Sequence, residues 1–116
     1  MSTQFTTTLQ DNVTTTNDNY TTINTAGTFV FNTFSGGTQS VSGSSAKIEL
    51  FWDANGDGSV LTLIAAIYSA SETYNQDENP NVFYNSTGVQ RVLLRRTVFG
   101  TTTARQVYAQ FIGEVL

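Results

Sequence analysis

No window of this 116-residue chain sets apolar residues at the 3.6-residue spacing of a helix, whereas period-two alternation recurs along it. Residues 47–52, KIELFW, place Ile48, Leu50 and Trp52 on one face and Lys47 and Glu49 on the other. GTFVFNTF, residues 27–34, reads as a strand with two partly apolar faces. SVLTLIAAIY, residues 59–68, is nearly all apolar and is expected as a central strand covered on both sides, with Leu61, Leu63 and Ile67 in the core. VQRVLLRRTVF (89–99) and RQVYAQFIGEVL (105–116) read as two more strands joined by the hairpin-sized GTTTA. Residues 35–46 read as loop or weak strand. Residues 69–88, which hold the only proline, Pro80, read as a long polar loop with at most a short helical turn in 70–80. Strands at this spacing predict an all-β chain, an antiparallel β-sandwich or jelly roll.

The first 25 residues differ from the rest. MSTQFTTTLQDNVTTTNDNYTTINT carries two charges, Asp11 and Asp18, and thinly spread apolar residues. The chain therefore divides into an extended Thr/Asn-rich arm, 1–25, and a sandwich domain, 26–116. Fixing a residue's backbone costs roughly 1–2 kcal/mol. Phe5, Leu9, Val13, Tyr20 and Ile23 offset only part of that for the arm, at about 1.5–3 kcal/mol each when fully buried. The expectation is an arm ordered by a neighbouring subunit, with those five residues as its contacts; the plainer alternative is an edge strand added to its own domain.

Composition removes most chemistry. The chain has no Cys and no His, which excludes disulfides, thiolate nucleophiles, ordinary zinc sites and His-based triads. Glu49, Glu72, Asp77, Glu78 and Glu114 show no spacing that marks a glycosidase pair, so no catalysis is expected. Net charge is −4 with one Lys and four Arg, too few and too scattered for nucleic acid. No apolar run approaches the roughly 20 residues that span a bilayer, so no membrane partner is expected. The N-terminus has neither a basic start nor an apolar segment of the secretory type, so synthesis in a cytoplasm is expected. Twenty Thr, ten Ser and ten Asn stand where other proteins carry charge. Hydroxyls and amides cost less to desolvate than Lys or Glu, which suits surfaces that press against copies of themselves.

Asp53, Asn55 and Asp57, followed by Gly58, imitate the start of a calcium loop. A full loop needs a bidentate Glu at its twelfth position, and that position is Ile64. Asn55-Gly56 and Asp57-Gly58 are both hairpin-turn dipeptides, so 53–59 is expected to be an exposed β-turn. No cofactor is expected. Calcium could sit here only weakly, on Asp53, Asn55 and Asp57, unless another chain or Glu72, Asp77 and Glu78 closed the site.

AGTFVFNTFSGG (26–37), AKIELFWDANGDGS (46–59) and the closing VYAQFIGEVL (107–116) together resemble small β-sandwich virion proteins of tailed bacteriophages, of the capsid decoration, neck, tail or fibre type. The resemblance is one of pattern over residues 26–116 and carries no catalytic residues. It implies a structural role in the virion, with copies of itself and other virion proteins as partners. Phe51 and Tyr108 would then be either subunit contacts or core of the second sheet. Two other readings stay open. One is a carbohydrate-binding module, which would take a glycan on a row of exposed rings; Trp52 alternates with core residues and is expected to be buried, which leaves Tyr20, Tyr68, Tyr74, Tyr84 and Tyr108, and no spacing aligns them. The other is a self-assembling extracellular filament subunit.

Overall fold

A computed structural model describes residues 3–13, 15–100 and 104–116. Nine strands form it: β1 (Thr3–Val13), β2 (Thr16–Thr22), β3 (Ala26–Thr38), β4 (Ser45–Asp53), β5 (Leu61–Ser69), β6 (Tyr74–Glu78), β7 (Phe83–Thr87), β8 (Arg91–Phe99) and β9 (Arg105–Val115). The first sheet runs β1-β9-β3-β6, with β7 also on β3; the second runs β2-β8-β4-β5. Every pairing is antiparallel, and the partners nest. β1 pairs with β9, β2 with β8, β3 with β6 and β7, and β4 with β5. The chain is thus one long hairpin rolled up, and β3–β9 and β4–β8 are the seams that rolling creates. That is the jelly-roll arrangement of a two-sheet sandwich.

Burial between the sheets explains why these residues form these strands. Phe29, Phe31, Phe34, Ile48, Leu50, Trp52, Val92, Leu94, Val107 and Phe111 alternate inward and are buried. Trp52 stacks between Phe29, 5.3 Å away, and Tyr84, 5.0 Å away, so it is a core residue rather than an exposed platform. Packing of aromatic rings this close adds to the area they remove from water. Gly113 leaves room for that cluster: a Cβ there would meet the Phe29 ring and lie 2.8 Å from the Val30 carbonyl oxygen.

Several expectations are corrected. The arm is not a separate extended segment: β1 and β2 are edge strands of the chain's own two sheets, so the boundary at residue 25 falls within one packed unit. Thr7 Oγ1 and Thr21 Oγ1, 2.6 Å apart, tie the two strands across the sheets. The hydrophobic β5 is an end strand rather than a central one. Its register shifts opposite Leu50 and Phe51, which inserts Ile64 and turns Leu63 outward, 52 % exposed; Leu61 is only half-buried. The expected polar loop 69–88 instead contains β6 and β7, and no helical turn forms in 70–80. GTTTA is not a hairpin connection, because β8 and β9 lie in different sheets; its residues 101–103 fall outside the described residues.

Candidate functional site

The β4–β5 turn is held together by its own side chains. Both Asp53 carboxylate oxygens accept from the Gly58 amide at 3.1 Å, and Oδ2 also accepts from Arg91 Nε at 2.8 Å. Asp53 is fully buried, which corrects its expected exposure: the turn folds back over it and Arg91 covers it. Asp57 Oδ1 accepts from the Ser59 amide and hydroxyl, which holds its carboxyl below the usual range. Asn55 donates to Ser59 Oγ at 3.1 Å. Glu72 follows the far end of β5, whose nine residues span roughly 30 Å at about 3.3 Å each, and Asp77 and Glu78 lie on β6 in the other sheet, opposite Ser35 and Phe34. They cannot close a site at Asp53. Among the described residues, no cluster of three or more carboxylates stands together as a metal site.

The five expected contact residues of the arm part company. Val13 and Ile23 are fully buried in the chain's own core, and Phe5 and Leu9 pack against it half-buried. They are therefore core residues of this sandwich, because β1 and β2 close its two sheets. Only Tyr20, at 40 % exposure, faces outward.

Tyr20 belongs to an ordered outer face on the second sheet. Strand register places Tyr20, Leu93, Phe51 and Leu63 in one row across all four strands. Beside it run the rows Asp18–Arg95–Glu49–Ala66 and Thr16–Thr97–Lys47–Tyr68. Each cation of this face lies over a ring and is paired with an acid. Arg91 sits 3.8 Å from the Tyr20 ring centre and binds Asp53. Arg95 sits 5.5 Å from that of Phe51 and grips Asp18 with two hydrogen bonds, at 2.8 and 3.0 Å. Lys47 sits 5.9 Å from Phe99 and 3.4 Å from Glu49. The Asp18 hydrogen bonds hold the Arg95 guanidinium above its usual range. Phe51 is thus half-buried within this face, and Tyr108 is half-buried on the opposite sheet, its hydroxyl donating to Gln110.

Tyr20 and Tyr68 lie on the second sheet, Tyr108 on the first, and Tyr74 and Tyr84 pack against the core. No row of tyrosines forms a flat sugar platform. A shallow depression of about 260 Å³ does lie on the first sheet, lined by Gly37, Gln39, Asn75, Gln106 and Tyr108 among others.

Sequence reasoning missed Arg105. Its guanidinium is fully buried and donates to the carbonyls of Gln39, Ser44 and Glu72 and to the hydroxyls of Thr38 and Ser69, at 2.6–3.0 Å. Burial pulls it below its usual range, against the opposing charge of Glu72. It pins the ends of β3 and β5 to β9.

Fold and surface together define the class first: a jelly-roll sandwich whose ordered outer face carries rings and paired charges. No protein-family model matches the chain, and no curated protein matches it. Solved structures do. A structure of infectious bursal disease virus, Gt strain, superposes with a TM-score of 0.59 at 10 % identity, covering 98 % of this chain and 32 % of that one. The Gx strain gives 0.57 at 8 %, with the same coverage. The crystal structure of the VP2 subviral particle of that virus gives 0.55 at 8 %, covering 98 % of this chain and 33 % of that one. The chain therefore spans about a third of the length of these viral capsid proteins. At such identity the likeness establishes the shared fold.

Proposed function

We propose that this chain is a non-enzymatic structural protein of a virus particle, resident in the virion, which works by associating with copies of itself and with neighbouring virion proteins. The observation that carries the reading is the superposition of 98 % of the chain on capsid sandwiches despite 8–10 % identity. Composition supports it: few charges, abundant hydroxyls and amides, and no His or Cys. The finer assignment, a capsid decoration, neck, tail or fibre subunit of a tailed phage, rests on the strand pattern of residues 26–116.

Quantitative mass spectrometry of gradient-banded particles, from cultures that encode the chain, tests this. The chain should band with the particles at a fixed ratio to their major structural protein. Its absence from the banded particles would overturn the proposal.

A further inference from the structure

We infer that the free edge of β5 is a docking strand for a second copy of this chain, the two β5 strands pairing antiparallel about a two-fold axis. The inference deepens the structural role proposed above by naming the surface and its partner.

The edge is open by construction. β5 ends the second sheet, and among the described residues no strand pairs with its outer side. An end strand presents unpaired amides and carbonyls, a template that proteins usually blunt with charge, proline or short length. β5 has nine residues, and from Gly58 to Ser71 there is no charged residue and no proline. Of the other edge strands longer than five residues, β1 contains Asp11 and β2 contains Asp18. The inserted Ile64 adds twist, yet it packs inward and leaves the edge uncovered. Val60, Leu63 and Tyr68 stand 48 %, 52 % and 61 % exposed along it.

Charge leaves this edge open to a second copy. Each copy carries a net charge of −4, so two copies repel at most approaches. At β5 they meet as neutral surfaces. The nearby cations and acids on the outer face, Arg91 with Asp53, Arg95 with Asp18 and Lys47 with Glu49, are already paired within the chain. Donation of the N-terminal segment is not the mode, because β1 and β2 are held in their own sheets. Continuity favours a like strand. The row Tyr20–Leu93–Phe51–Leu63 runs out to the edge, and a second β5 would extend the sheet to eight strands. A two-fold contact uses the same patch on both copies, as an identical strand requires. Its area is at the small end of specific interfaces, so pairing is weak between free copies and gains strength where many copies are held together.

Sedimentation equilibrium on the whole chain, from about 10 μM to 1 mM, tests the inference over the range where such small interfaces dissociate. The wild type should pass from monomer to dimer and do so more readily as salt rises, since salt screens the like net charge. Leu63→Lys and Leu63→Glu, each at an exposed position, should melt like the wild type and stay monomeric. An equimolar mixture of the two should recover the dimer. Three results would overturn the inference: a wild type monomeric at the highest concentration, dimers that persist in both variants, or a mixture that stays monomeric. If either variant melts early, Tyr68→Lys and Tyr68→Glu carry the same test. These outcomes are independent of particle residence. A dimer absent from virions defeats the proposed role alone, and a monomer present in virions defeats the β5 contact alone.

Discussion

Arg105 is one charged residue of the sandwich with no solvent access and no carboxylate bonded to it. Three carbonyls and two hydroxyls do a carboxylate's work, and they belong to the ends of β3 and β5 and the segments that follow them. A lysine cannot fork to five acceptors. Hydrogen bonds to charged groups are worth about 1.5–3 kcal/mol each, so Arg105→Lys should cost about 3 kcal/mol or more. Calorimetry should then show the melting temperature falling by roughly 10 °C or more. A loss under about 1 kcal/mol would mean that water replaces the guanidinium. Asp53 makes the opposite case, a residue whose chemistry looks like ligation and is used for a turn. With its oxygens committed to Gly58 and Arg91, calcium titration should reveal no site tighter than roughly 10⁻⁴ M, the weak end of extracellular modules. A micromolar site would show that the turn opens to let metal in.

Deleting residues 1–22 removes an edge strand from each sheet and takes Val13 out of the core. Buried side chains of this kind contribute about 1.5–3 kcal/mol each, and β8 and β9 would be left as bare edges. The truncated chain should therefore be unfolded or aggregated, as judged by near-ultraviolet circular dichroism and light scattering. A folded, monomeric product would mean that the two N-terminal strands are dispensable. Strands that alternate in hydrophobicity were legible from sequence: β3, β4 and β8 lie where Phe29, Ile48 and Val92 mark them. β1, β2, β6 and β7 were not, because Thr, Asn and Gln dominate them and their pairing with β9, β8 and β3 is a long-range fact. β5 reads as a central strand for a physical reason. An apolar run reads as buried on both faces, and nothing local records that, among the described residues, no strand lies beyond it. Of the candidate surface, Tyr20 and Phe51 were recognised singly. Their row with Leu93 and Leu63 depends on register across four strands, which no local pattern carries.

At the scale of the molecule, the nested pairing makes the chain's two extremities partners: Thr3 stands opposite Val115, and Thr22 opposite Arg91. Among the described strands, only β4 and β5 pair while being close in sequence. Isolated hairpins close in about 1–10 μs, whereas folds dominated by distant pairings take milliseconds to seconds. Refolding should therefore fall in the slow range. In pulse-labelled hydrogen exchange, amides of β4 and β5 should gain protection first and those of β1 and β9 last. Protection of β1 ahead of β5 would sink this order. On a ribosome the same nesting has a further effect. Of the nine described strands β1 emerges before the others, yet its partner β9 follows the other eight, so the growing chain holds β1 in waiting until synthesis has passed Arg105.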